Sequence, residues 1–209
     1  MSEDETTLRY LALGDSYTIG ESVEIAERWP EQLAARLEPN AGTLEVEIIA
    51  RTGWTTAELN AGIDARKPEG PYDLVSLLIG VNNQYRGYAL EEYRVEFAAL
   101  VNRAIEFAGG DTRRVIVLSI PDWGVTPFAG GRDAGKISAE IDAFNAAARE
   151  VSEGLGVAFI DITDISREAA ARPELLAEDG LHPSGAMYGL WVEHVYPAAC
   201  AALELDCGD

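Results

Sequence analysis

The sequence predicts a three-layer α/β/α sandwich built on a five-stranded parallel sheet, and two observations predict it. Short apolar runs rich in β-branched residues alternate with longer stretches of helical period, the rhythm of βαβ units. Parallel strands need crossovers, the crossovers are right-handed, and helices then cover both faces of the sheet. The chain has 209 residues, 47% apolar and 25% charged. A chain of that size buries roughly 70% of the surface its unfolded form exposes, enough for one core, and a single domain over residues 1–209 is expected.

In chain order, strand one is read over residues 8–13, an apolar run broken only by Arg9. A helix follows at 29–37, with Trp29, Leu33 and Leu37 four apart, and strand two at 46–50. The next helix, 55–63, carries Leu59 and Ile63 on one face, and strand three is the apolar run 74–79. Residues 90–107 repeat apolar side chains at three- and four-residue intervals and read as a long helix. Strand four at 115–120, a helix at 137–153, strand five at 157–160 and a last helix at 184–203 complete the series. The one long irregular stretch is 121–135, rich in Gly and Pro yet carrying Trp123 and Phe128. Loops of that length are often functional.

Charge removes several function classes. With 36 acidic against 16 basic side chains the net charge is -20, and no Lys/Arg cluster offsets it. Phosphate backbones and anionic headgroups are repelled, so nucleic acid and membrane surfaces are not expected partners. The N-terminus, Met1, Ser2, Glu3, Asp4 and Glu5, carries three acids and no basic side chain where a secretory signal would be basic. No apolar run approaches the roughly 18 residues of a membrane span, and a cytoplasmic location is expected. Cys200 and Cys207 could close only a short loop and are expected to be two unpaired thiols. His182 and His194 share no metal-type spacing, so neither a metal nor another cofactor is expected.

In an open parallel sheet the working site lies beyond the carboxyl ends of the strands. Strand one runs into Gly14, Asp15, Ser16, Tyr17 and Thr18, which puts a serine hydroxyl at that edge. A serine there is either a turn or capping residue or a nucleophile. Near the other end of the chain stand Asp179, Gly180, Leu181 and His182, an acid three residues before a histidine. A serine hydroxyl needs a general base to attack near neutral pH, and imidazole supplies one. A carboxylate on the second ring nitrogen fixes the tautomer and stabilises the imidazolium. His194 has no such acid and lies within a helical pattern, as a structural or surface histidine does.

Acyl transfer also needs donors aimed at the developing oxyanion. Two loops offer them: Gly53 after strand two, where the backbone can approach a ligand closely, and Asn82 after strand three, whose amide can donate. Turn and loop roles serve equally well for each residue taken alone. Together these segments resemble the SGNH, or GDSL, hydrolase family over almost the whole chain. The resemblance implies a flavodoxin-like fold, with Ser16 in the Gly-Asp-Ser block as nucleophile and Asp179 with His182 as its partners. It further implies an oxyanion hole from Ser16, Gly53 and Asn82. Asn83 stands where the family usually has Asp, a departure that bears on the hydrogen bonding of the third loop. Thr18 replaces the second glycine of the Gly-x-Ser-x-Gly elbow of the other large esterase fold.

The function expected is a metal-independent serine esterase or lipase acting on a small ester through an acyl-enzyme. Lysophospholipase, thioesterase and sugar acetylesterase activities stay open, as does acyl transfer. A binding module of another class is also weighed: Ser16, Thr18 and Gly20 resemble a hydroxyl-lined phosphate or flavin cradle. That reading leaves Asp179 and His182 unexplained, and the next helical pattern begins only near Trp29. Trp123 and Phe128 are either packed under the 121–135 loop or line an acyl pocket, with Tyr17 and Tyr85 as further candidates for substrate contact.

Overall fold

The computed structural model describes residues 7–208, and residues 1–5 of the acidic N-terminus lie outside them. Its strands are β1 (Leu8–Asp15), β2 (Leu44–Arg51), β3 (Leu74–Leu78), β4 (Val115–Leu118) and β5 (Ala158–Ile160). All neighbours pair in parallel, in the order β2-β1-β3-β4-β5. The helices are α1 (Ser16–Ile19), α2 (Trp29–Ala41), α3 (Thr56–Arg66), α4 (Val81–Tyr85), α5 (Leu90–Phe107), α6 (Ala134–Gly154), α7 (Thr163–Arg167) and α8 (Gly185–Ala202). One layer packs α2 against α8, and the opposite layer packs α5 against α3 and α6. Every residue of β3 and β4 is buried, with no alternation, because both faces of those strands are covered. The five-stranded α/β sandwich expected from the sequence is the fold observed. Among the described residues no helix is long and apolar enough to cross a membrane.

Two expectations are corrected. The cysteines are not unpaired: Cys200 and Cys207 form a disulfide. The physical reason is a chain reversal after α8, where Glu204 takes φ 56 and the Leu205 N–H bonds back to the Cys200 carbonyl at 2.9 Å. That hook returns Cys207 to within a Cα separation of 6.1 Å of Cys200. The first helix also begins earlier than Trp29, since α1 starts at Ser16 itself. A four-residue helix has too few residues to show a period, so sequence pattern could not reveal it.

The sheet order places a topological switch point at β1, from which β2 and β3 depart to opposite sides. Gly14 pairs with Ala50 of β2 and with Leu78 of β3. The loops that follow β2 and β3 therefore emerge on either side of Ser16. The 121–135 stretch contains two 3₁₀ turns, Trp123–Val125 and Pro127–Ala129, before Asp133 caps α6.

Candidate active site

Ser16 is presented by a turn that only glycine permits. A Cβ on Gly14 would lie 2.1 Å from Thr18 Oγ1 and 2.6 Å from the Leu78 carbonyl oxygen. Without one, the chain passes from β1 straight into α1, with Asp15 as N-cap accepting the Tyr17 N–H at 3.0 Å. Ser16 becomes the first helical residue, buried at the carboxyl edge of the sheet.

The chain returns to this point through a tight turn leading into α8. Its neck is closed by the Leu176–Pro183 bridge and by the Ala177 N–H on the His182 carbonyl at 2.8 Å. Inside it, Asp179 Oδ1 accepts the N–H groups of Leu181 and His182, each at 2.9 Å. Asp179 Oδ2 lies 2.6 Å from His182 Nδ1, and His182 Nε2 lies 2.9 Å from Ser16 Oγ. Asp179, His182 and Ser16 thus form one continuous hydrogen-bonded line. The Ser22 hydroxyl adds a fourth bond to Asp179 Oδ2 at 2.8 Å. Partial burial works against ionisation of Asp179, but bonds from the His182 ring, the two N–H groups and Ser22 outweigh it. They hold the carboxyl well below the usual carboxylate range.

Gly53 sits at φ 81, a backbone region that favours glycine, and its N–H has no acceptor among the described residues. Arg86 fixes the peptide from the other side, donating from Nη2 to the Gly53 carbonyl at 2.6 Å. Asn82 Nδ2 donates to the Trp54 carbonyl at 2.9 Å and makes a longer bond to Asp15 Oδ2 at 3.3 Å. Burial pushes the Asp15 carboxyl up to about 7, against the opposing bonds from the Tyr17 N–H and Asn82. Asn83 points into the protein instead: its Oδ1 accepts the Thr56 N–H at 3.1 Å and its Nδ2 donates to Thr56 Oγ1 at 2.7 Å.

A cavity of about 150 Å³ opens beside Ser16. Its lining includes Ser16, Tyr17, Gly53, Asn82, Tyr85, Trp123, Phe128 and His182, so most of the site residues expected from sequence face one space. Asp179 stands behind His182, one hydrogen bond away. Tyr17 is almost fully buried, its ring 5.2 Å from the imidazole. Trp123 meets both readings of its loop: it is buried, donates from Nε1 to Gln84 Oε1 at 2.8 Å, and still lines the cavity. Tyr85 and Phe128 are each 44% exposed and form the outer part of the wall. The Phe128 N–H bonds to the Gly180 carbonyl at 3.2 Å, tying this loop to the Asp179–His182 turn. His194 lies exposed on α8, away from the cavity.

Sequence reasoning did not find Thr52, Val81 and Leu181, which also line the cavity, nor Ser22. Leu181 and Val81 carried a usable signal, since each sits inside or beside a motif already singled out. Ser22 carried none, being 157 residues from the carboxylate it touches.

The model of the GDSL-like Lipase/Acylhydrolase family matches residues 12–190, from β1 to the middle of α8. The chain belongs to that family. No curated protein matches this GDSL-like chain. Among solved structures it is similar to TesA, with 23% identity, a TM-score of 0.70, and coverage of 93% of this chain and 99% of that one. A lipase/acylhydrolase from Enterococcus faecalis gives 19% identity and a TM-score of 0.70, covering 97% and 99% of the two chains. A variant of an acetyl xylan esterase from Geobacillus stearothermophilus gives 19% and 0.69, covering 93% and 95%. At these identities the likeness speaks for the GDSL-like fold.

Proposed function

We propose that this GDSL-like hydrolase cleaves small carboxylic esters through an acyl-enzyme on Ser16. The observation that carries the reading is the unbroken line from Asp179 through His182 to Ser16, at 2.6 and 2.9 Å. Ser16 Oγ attacks the ester carbonyl while its proton passes to His182 Nε2, and Asp179 stabilises the imidazolium through Nδ1–H. The tetrahedral oxyanion is received by the Ser16 and Gly53 N–H groups and by Asn82, whose long bond to Asp15 is the one exchanged. Collapse expels the alcohol, which takes the proton from His182. Water then attacks the acyl-enzyme with His182 as base, releasing the acid and restoring Ser16.

None of these steps calls for a metal, and no three His, Cys, Asp or Glu side chains are grouped as ligands among the described residues. A flavin or phosphate cradle would leave the His182–Asp179 pair without a role. The space of about 150 Å³ beside Ser16 seats a group about the size of benzene, enough for a short acyl group next to the nucleophile. The net charge of -20 fits a small-molecule substrate better than nucleic acid or an anionic membrane.

Two substitutions test the reading on a short activated ester. Ser16→Ala should lower kcat/KM by about 10⁴-fold or more with the fold intact, and an organophosphonate should label the wild type at Ser16. Asn82→Ala should lower kcat by about 10²- to 10³-fold with little change in KM. Labelling at another serine would overturn the assignment, and a harmless Asn82→Ala would move the oxyanion donor elsewhere.

A further inference from the structure

Arg132 stands over the outer wall of the cavity in a chain that pairs most of its arginines. Its guanidinium carbon lies 4.9 Å from the Tyr85 ring centroid, 5.1 Å from that of Trp123 and 5.7 Å from that of Phe128. All three rings line the cavity beside Ser16. One N–H is spent, from Nη2 to the Tyr85 hydroxyl at 3.1 Å. Stacking uses the faces of a guanidinium and leaves its in-plane N–H donors available.

What Arg132 lacks is a carboxylate. Among the described residues nine arginines have one within 4.0 Å, and Arg132 does not. Acids are not scarce, with 36 in the chain. Asp133, its neighbour in the chain, turns to cap α6 instead, accepting the Lys136 N–H at 3.0 Å. An exposed positive fork is thus kept against three rings of the cavity wall in a strongly acidic protein. A guanidinium set on aromatic faces is weakly hydrated and matches a carboxylate in geometry.

We propose that Arg132 is an anion subsite, and that the ester this protein takes carries a carboxylate on the part that runs outward past Tyr85, Trp123 and Phe128. The inference deepens the esterase reading and rests on it for the reaction, but not for the binding. The competing role is a clamp that only holds the three rings together. A clamp would affect neutral and anionic ligands alike.

The test therefore reads a ratio. Binding of phenylacetate and of phenylacetamide to the Ser16→Ala protein is followed by tryptophan fluorescence or NMR, in otherwise wild-type and Arg132→Gln backgrounds. Turnover by the wild type and by Arg132→Gln compares 4-nitrophenyl hexanoate with the 4-nitrophenyl monoester of adipic acid, and 4-acetylphenyl butyrate with 4-carboxyphenyl butyrate. The expected result is that phenylacetate binds about tenfold or more tighter than the amide, and that Arg132→Gln removes this preference. The anionic-to-neutral ratio of kcat/KM should fall about as much in whichever ester pair places its carboxylate at Arg132. Arg132→Lys, which keeps the charge and loses the fork, should lie between. Equal binding of the two phenyl ligands, or a preference that survives Arg132→Gln, overturns the subsite. Loss of neutral-ester turnover by the wild type itself would instead overturn the esterase reading, leaving the binding contrast to decide on Arg132.

Discussion

Ser22 holds a left-handed backbone, φ 66, that side-chain-bearing residues rarely adopt, and from it donates to the carboxylate behind the candidate base at 2.8 Å. Strain of this kind persists where the surroundings over-determine it, and here the return is a fixed Asp179. Ser22→Gly should relieve the backbone while removing the hydroxyl. Its kcat on a short ester should fall about 3- to 10-fold at nearly constant KM, with no loss of melting temperature. Ser22→Asn tolerates the left-handed region and restores a donor, so part of the rate should return. Unchanged kinetics in Ser22→Gly would mean that the Leu181 and His182 N–H groups hold Asp179 unaided.

At the scale of elements, α3, α4 and α5 are joined by a chain of side chains that accounts for the departure at position 83. Asn83 Nδ2 on α4 donates to Thr56 Oγ1 on α3, and that hydroxyl in turn donates to Glu96 on α5. One hydroxyl proton serves Glu96, and the Asn83 amide supplies the next. Asn83→Asp would leave two carboxylates facing the single Thr56 hydroxyl, one of them fully buried. The substitution should destabilise by about 1–3 kcal/mol, more at high pH than at low, in denaturant titrations. A variant as stable as the wild type at pH 8 would show that the helices shift to admit it. This interlock carries Asn82 on the same short helix, so the geometry of the proposed oxyanion donor depends on it.

For the molecule as a whole, two site carboxyls push stability in opposite directions with pH. Asp15, raised to about 7 by burial, is held protonated more firmly in the folded protein than in the unfolded chain. Its contribution is fully present below about pH 4, the unfolded value, and is lost as pH climbs towards 7. Asp179, held low by its hydrogen bonds, contributes above about pH 4 and loses that contribution as pH falls through its folded value. Between pH 4 and 7 the Asp15 effect is therefore the falling one. Asp15→Asn should flatten this decline: the wild type should lose stability relative to the variant as pH rises across that window. Parallel curves of unfolding free energy against pH would show that Asp15 is already ionised in the fold.

Order and type of the five strands and the longer helices were legible in the sequence because they rest on local periodicity, whereas the short helices α1, α4 and α7, of four or five residues, were not. The helix at 90–107 was read to the residue, and the five strands fell where their apolar runs lie. Burial on both sheet faces makes the runs of β3 and β4 continuously apolar. That Ser16, Gly53, Asn82, Asp179 and His182 gather at one edge of the sheet could be expected for a second reason: each sits just beyond a strand or before a helix, where motif and fold edge coincide. Only the tertiary structure decided the rest. The Cys200–Cys207 bridge depends on a left-handed turn at Glu204, a conformation no residue type at that position announces. Ser22 meets Asp179, Gln84 meets Trp123, and Arg132 meets three rings across separations that hydrophobic period does not encode. Periodicity records which face of an element is buried; which side chains then touch is set by the closure of the sheet around β1.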